Sequence, residues 1–211
     1  MPIIAYLIGN LNFGILVSRA VYKKDIRTLG SGNPGSTNAF RVFGKAAGSF
    51  VLLADALKGA GAVLLVRWLL GDAGGGLWPA VAGLCVTLGH VFPAAFRFKG
   101  GKGVATTAGV LAALQFPVLL ALLACPFAVL LLTVKYMSVA SLASAALLPA
   151  ATLVWQRLRT GAWELTPLFW LSLAQAAVIF YAHRSNIQRL ARGTENKLFQ
   201  KKPAQPPGRE E

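Results

Sequence analysis

The chain has 211 residues, of which 55% are apolar and 13% charged, with a mean hydropathy of +0.59; soluble domains usually carry about twice that share of charge. The charge is lopsided, 21 Lys+Arg against 7 Asp+Glu for a net of +14, a balance that suits nucleic acid, an anionic lipid surface or an anionic substrate. Long uncharged runs exclude a nucleic-acid-binding domain and leave an all-α, polytopic integral membrane protein. Cys85 and Cys125 each lie inside an apolar run at no metal-ligand spacing, and both are expected as small buried hydrophobes.

Residues 1–18 carry no charged side chain, and Arg19, Lys23 and Lys24 follow. A cleaved signal peptide has its positive charge ahead of the apolar core, so this stretch reads as a retained first span. Next comes LGSGNPGSTNAFRVFG at 29–44, a literal G-x-G-x-x-G over Gly30–Gly35. A dinucleotide site needs a strand before it, a helix after it and an acidic residue about twenty positions on. A membrane helix and KKDIRT stand there instead, so that reading is rejected. What remains is a turn rich in backbone N–H groups, with hydroxyls on Ser31, Ser36 and Thr37, amides on Asn33 and Asn38, and Arg41 closing it. Such a nest suits an oxyanion or phosphate; an ordinary Gly/Asn/Pro turn capping a helix is the plainer alternative.

The second apolar segment, 46–70, holds Asp55 and Lys58 at i and i+3. Ionisable residues at membrane depth are functional suspects, yet such a pair also neutralises itself and fixes packing, and that structural role is the one expected here. A third segment, 77–96, runs into GHVFPAAFRFKGGKGVATT at 89–107. This is no Walker A loop, because Gly103 follows Lys102 and Phe96 stands where the first glycine belongs. The glycines still let backbone approach a ligand, a helix opening near Val104 aims its N–H groups at the loop, and Lys99 and Lys102 add charge for a phosphate. A loop that merely binds anionic headgroups would explain the basic residues but neither the glycines nor His90.

The fourth segment, 104–134, has 31 residues and contains Pro117 and Pro126; as one helix it would be ~46 Å long against a hydrocarbon core of ~30 Å. The positive-inside rule arbitrates. Read as two short helices turning near Gln115–Pro117, the segment makes seven membrane helices and gathers sixteen Lys and Arg (22–45, 97–103, Lys135 and beyond 183) on one face, leaving Arg67, Arg157 and Arg159 on the other. Read as one span, the split is near nine to eleven. Seven helices are expected, with the N-terminus outside and the C-terminus cytoplasmic. The half-span at 104–115 needs protein or a water-filled cavity around it, so a cavity near Gly100–Gly103 follows. Segments 137–156 and 165–182 complete the set. AHRSNIQRLARGTENK at 182–197 leaves the last span and, if helical, makes His183, Asn186 and Gln188 neighbours and puts Arg189 and Arg192 on one face. One membrane domain over 1–197 is expected, and the polar, Pro-rich 198–211 reads as a disordered tail.

Absences narrow the chemistry. Two histidines and no clustered Asp, Glu, His or Cys exclude metal ligation, and with it a metal-dependent lipid phosphotransferase. There is no H-x-x-x-x-D and no G-x-S-x-G elbow. An enzyme built this way has to bind an anionic, already activated substrate and position the second reactant.

Together, GSGNPGSTNAFR at 30–41, GHVFP at 89–93 with FKGGKGVAT at 98–106, HRSNIQRLARGTENK at 183–197 and DALKG at 55–59 resemble the bacterial acyl-phosphate:glycerol-3-phosphate acyltransferases, the PlsY type. The likeness runs nearly the whole chain in order; Pro34 and Ser36 stand where other small residues are expected, and both suit the turn. The resemblance implies transfer of a fatty acyl group from acyl phosphate to the 1-hydroxyl of glycerol 3-phosphate, giving lysophosphatidic acid and phosphate in phospholipid synthesis. It also implies seven helices in the bacterial inner membrane, with the site facing the cytoplasm. An acyl phosphate is a mixed anhydride and needs no protein nucleophile, so the hydroxyl attacks directly, and the leaving phosphate or His183 takes its proton. Arg41, Lys99 and Lys102 hold phosphates, with Gly100, Gly101 and Gly103 shaping the loop. Ser31, Asn33, Thr37 and Asn186 orient the groups and the developing oxyanion; Asn38 and His90 join the binding set, and Glu195 positions a basic residue. The partners implied are glycerol 3-phosphate, acyl phosphate and membrane lipids, with no cofactor, no metal and no nucleic acid, and a monomer as the simplest state. The competing class is an organic-phosphate transporter, which predicts a polar path through both leaflets and an inverted repeat. A scaffold for other lipid enzymes leaves the three polar stretches unexplained.

Overall fold

The computed structural model describes residues 1–197 except 72, 73, 75, 116 and 117, with side chains outside 115–122. The 198–211 tail and the turn expected near Gln115–Pro117, which falls at 116 and 117, lie outside the described residues. Among those described, ten α-helices occur and no strand: α1 (Pro2–Asn10), α2 (Phe13–Ala20), α3 (Ser36–Phe43), α4 (Lys45–Leu70), α5 (Leu77–Val91), α6 (Val104–Gln115), α7 (Val118–Val134), α8 (Met137–Thr160), α9 (Pro167–Ala182) and α10 (Arg184–Ala191). Four stretches are long and apolar enough to cross a membrane, namely Pro2–Ala20, Lys45–Leu70, Leu77–Phe96 and Met137–Thr160, and three shorter apolar helices accompany them, Val104–Leu114, Leu123–Val134 and Pro167–Ala182. The long fourth segment is two helices, α6 and α7, as expected, and Pro126 sits inside α7 rather than ending it.

The first segment departs from the reading of one continuous span. It breaks at Leu11, whose backbone leaves the helical region (φ −67°, ψ 81°). Asn12 then starts α2, its side-chain oxygen accepting from the Ile15 N–H. Asn10 and Asn12 cause this: both compete for backbone groups and favour caps over helix interiors. A break inside a membrane protein frees a carbonyl that water cannot reach. Here the Leu11 carbonyl accepts from Lys58 Nζ at 2.7 Å.

Lipid offers no hydrophobic drive between helices, so small residues set the packing. Gly9 on α1 and Gly89 on α5 lie against each other's backbone, and a Cβ on either would overlap main-chain atoms of the facing helix. One core cluster joins α1, α4, α5, α6 and α9 through Ala5, Val63, Val66, Val86, Val110 and Leu171. The outward face of α4 is the inverse of a soluble helix: Leu53, Leu57, Leu64 and Trp68 are all more than half exposed, while Asp55 and Lys58 are buried. Cys85 is half-buried, but Cys125 is exposed rather than buried as expected, because α7 turns that face outward. Trp68, Trp78, Trp163 and Trp170 are also exposed; they cluster where α4 gives way to α5 and α8 to α9, and indoles favour the ends of membrane helices.

Candidate active site

At the opposite ends of those helices a cavity of about 790 Å³ is enclosed by the loop before α3, the 99–103 loop, the starts of α6 and α8, and the junction of α9 with α10. Ser31, Asn33, Thr37, Asn38, Arg41, His90, Lys99, Gly100, Gly101, Lys102, Gly103, His183, Asn186 and Glu195 all line it, so the structure brings these fourteen candidates to one cavity. Gln188 does not line it and is exposed, because α10 starts only after His183 and turns that position outward.

The first wall is the 29–41 turn. Asn38 is 1% exposed and its amide is occupied. Its Oδ1 accepts from the Ser31 N–H at 2.9 Å and its Nδ2 donates to the Leu29 and Ile26 carbonyls. Asn38 therefore gives the loop its shape and hands the Ser31 region to the cavity. Gly30 takes φ +59°, and a Cβ there would overlap the Asn38 carboxamide, which is why only glycine fits. Just past the first segment, Asp25 pairs with both Arg19 and Arg27 at 2.8 Å, and Arg27 also donates to the Phe96 carbonyl, tying the chain ahead of this loop to the turn that follows α5. The Arg27 guanidinium above all holds the Asp25 carboxyl well below the usual carboxylate range.

Three helices present their first turns to the cavity: Ser36 and Thr37 of α3, Val104 and Ala105 of α6, and Arg184 and Ser185 of α10. The unpaired N–H groups of such turns and their dipoles favour an anion. Lys102 stands among them. Burial lowers its ammonium to about 8 against the pull of Glu195, with Arg189 and Arg41 adding to the lowering. It therefore stays mostly protonated at neutral pH.

Beyond α9, His183 is 2% exposed, and its Nδ1 lies 2.8 Å from the Ile179 carbonyl. A carbonyl only accepts, so Nδ1 carries the proton and Nε2 keeps a free lone pair. Burial, aided by the Lys102 charge, pushes His183 down to about 4, so the ring is neutral at physiological pH. Glu195 is the hub of this wall. Its Oε1 accepts from Asn186 Nδ2 at 2.7 Å and from Ser138 Oγ at 3.1 Å, and its Oε2 accepts from Arg189 Nε at 2.7 Å. Burial works to raise the carboxyl, but the bonds from Asn186, Arg189 and Ser138 outweigh it and hold it below the ordinary range. The basic residue that Glu195 engages is thus Arg189.

Sequence reasoning missed Ser138, Ser141 and Ser144, which line the cavity from α8. Their i, i+3, i+6 spacing in MSVASLAS was the available signal. Deeper in, the lining turns apolar through Leu111, Leu123, Phe127, Leu131 and Leu148. A cationic, hydroxyl-rich mouth leading into an apolar arm is what a ligand with a phosphate head and an acyl chain requires. Together with the membrane helices, it defines the class of integral membrane enzymes that handle lipid phosphates.

The chain belongs to the glycerol-3-phosphate acyltransferase family, whose model matches residues 1–193. It is 42% identical over 196 residues to a glycerol-3-phosphate acyltransferase of Coxiella burnetii (strain CbuG_Q212), covering 93% of this chain and 95% of that one. It is 40% identical over 199 residues to that of Thermoanaerobacter pseudethanolicus, with 94% of each covered. Its fold matches the crystal structure of PlsY (YgiH), an integral membrane glycerol 3-phosphate acyltransferase, in the glycerol 3-phosphate form, with TM-score 0.81 and 32% identity over 94% of this chain and 97% of that one. The lysophosphatidic acid form of PlsY gives TM-score 0.78 at 33% identity, covering 93% of this chain and 92% of that one. Membership makes the chain an acyltransferase and sets aside the organic-phosphate transporter.

Proposed function

We propose that the protein moves a fatty acyl group from acyl phosphate to the 1-hydroxyl of glycerol 3-phosphate, without an acyl-enzyme, from the cytoplasmic face of a bacterial inner membrane. The observation that carries this reading is the single cavity joining a cationic, N–H-lined mouth to an apolar arm. Arg41, Lys99 and Lys102 hold phosphate there, and Ser31, Asn33, Thr37 and Asn186 orient it and the oxyanion that forms on the acyl carbonyl. The leaving phosphate departs with the bonding electrons of the anhydride. His183 Nε2 is placed to accept from the attacking hydroxyl; with its pKa near 4 it aims the proton, and the departing phosphate is the better final acceptor.

Direct attack is supported by the surroundings of the serines. Among the described residues no hydrogen bond joins a serine to a histidine, and Ser138 is bonded to Glu195, a carboxylate already held by Arg189 and Asn186 and hence a weak base. The seven apolar segments and the one-sided placement of Lys and Arg support an N-terminus outside and a C-terminus in the cytoplasm. One chain encloses the whole cavity, which suits a monomer.

The test uses purified protein in detergent or lipid mesophase with palmitoyl phosphate and glycerol 3-phosphate. Phosphate release that requires both substrates and yields lysophosphatidic acid is expected. Equal turnover with a palmitoyl thioester in place of the acyl phosphate would overturn the donor assignment.

A further inference from the structure

Behind the phosphate-suited loop lies a second polar group that the proposed reaction does not use. Lys58 Nζ stands 2.7 Å from Asp55 Oδ1, 2.9 Å from His90 Nδ1 and 2.7 Å from the Leu11 carbonyl. All three side chains are buried, Asp55 at 1% exposed, His90 at 4% and Lys58 at 7%. An ammonium has three protons and no lone pair, so Lys58 donates to the Leu11 carbonyl and to His90 Nδ1 while it lies against Asp55 Oδ1 as an ion pair. His90 Nδ1 is therefore the accepting nitrogen and Nε2 the protonated one.

The far side of His90 carries the glycine loop. The Gly101 N–H donates to the His90 carbonyl at 3.1 Å, and the Gly100 N–H donates to the Val91 carbonyl at 3.2 Å. The ring also lies flush against Gly101, where any Cβ would overlap Nε2. A chain of contacts thus runs from the helix break at Leu11, through Lys58 and Asp55, to the imidazole on which Gly101 rests, one residue before Lys102.

We propose that Asp55, Lys58 and His90, anchored on the free Leu11 carbonyl, are positioning residues that hold the 99–103 loop at the height from which Lys102 and the α6 N-terminus meet a phosphate. The proposal rests on the function given above. A merely structural ion pair would neutralise Asp55 with Lys58 and need neither the exposed carbonyl nor the imidazole. Here the histidine sits between the ion pair and the loop, and the helix break supplies a further acceptor.

Steady-state kinetics with palmitoyl phosphate and varied glycerol 3-phosphate test it, on protein shown to be monodisperse and cooperatively melting. The paired variant Asp55→Asn/Lys58→Met keeps charge balance, so no uncompensated charge is left buried. It is expected to raise KM for glycerol 3-phosphate about tenfold, with kcat within about threefold, the pattern of a displaced binding group. His90→Ala should do the same, and His90→Asn, whose amide oxygen offers Lys58 an acceptor, should restore much of the loss. Folded variants with wild-type KM would overturn the proposal. So would failure of all three to fold, which would leave a purely structural cluster. An inactive wild type would instead strike at the proposed function, so the two failures are separable.

Discussion

Two polar clusters line the same cavity and are built on opposite plans. In the wall made by α8 and α10, Glu195 gathers Ser138, Asn186 and Arg189, yet the Asn186 Oδ1 is left without a partner and His183 Nε2 keeps a free lone pair. In the wall made by α4 and α5, Lys58 donates to the Leu11 carbonyl and to His90 Nδ1 and lies against Asp55 Oδ1 as an ion pair. The first cluster leaves an amide oxygen and a neutral imidazole lone pair for a ligand; the second turns its cation onto protein acceptors. A group that takes part in a reaction has to keep an atom unsatisfied until substrate arrives, whereas a group that positions others gains by saturation. Burial alone separates neither, since His183 and His90 are 2% and 4% exposed.

The largest expected effect falls on the open side. Arg41→Ala should lower kcat/KM for glycerol 3-phosphate by about a hundredfold or more, the usual loss when a preorganised charge donor is removed; near-normal kinetics would remove Arg41 from the site. Next, His183→Ala should lower kcat by ~10–100-fold, in keeping with the loss of a positioned proton acceptor, while leaving the melting temperature little changed. If kcat held and only KM moved, His183 would be a binding residue. Lys102 sharpens the contrast through pH. A lysine near pKa 8 is charged below that value and neutral above it, and a phosphate monoester is already a dianion there, its second pKa being about 6. So kcat/KM should fall up to about tenfold per pH unit above 8, and Lys102→Met should flatten that limb.

The α4–α5 side should respond in folding yield and in KM rather than in kcat. Asp55→Asn is expected to reduce folded protein in the membrane by more than the few-fold it takes from specific activity; the reverse order would make the pair catalytic and erase the distinction drawn here. Smallest of all, Ser138→Ala removes one of three donors to Glu195 and should cost about 1 kcal/mol, read as a slight drop in melting temperature with kcat nearly intact.

Much of the site was legible because its residue types are rarely tolerated in apolar segments: glycines beside lysines at 99–103 and Asn–Arg–Ser clusters at 31–41 and 183–197 stand out against leucine and alanine. The split of the fourth segment was legible for a similar reason, since charge placement and a segment too long for one span pointed to α6 and α7. Other features were hidden by competing signals. Asn10 and Asn12 sit in a segment whose mean apolarity hides them, so the break read as a continuous span. Ser138, Ser141 and Ser144 look like ordinary small residues at helix contacts, and only the fold turns them inward. Asn38 was read as a ligand group because an amide in a glycine turn is chemically able to be one; its bonds to Ser31, Leu29 and Ile26 could not be seen without the loop's closure. The pairing of Asp55 with Lys58 followed from spacing, but their common link to His90, 32 residues after Lys58, did not.

The break at Leu11 also bears on how the protein is made. Its carbonyl is answered by a lysine 47 residues later in the chain, so the first segment is synthesised before its partner. Until α4 arrives, that segment has to keep the carbonyl near the interfacial water or lie in a provisional pose. Insertion and final assembly are therefore separate events here, and the two halves of the first segment lock together only when Lys58 is delivered to them.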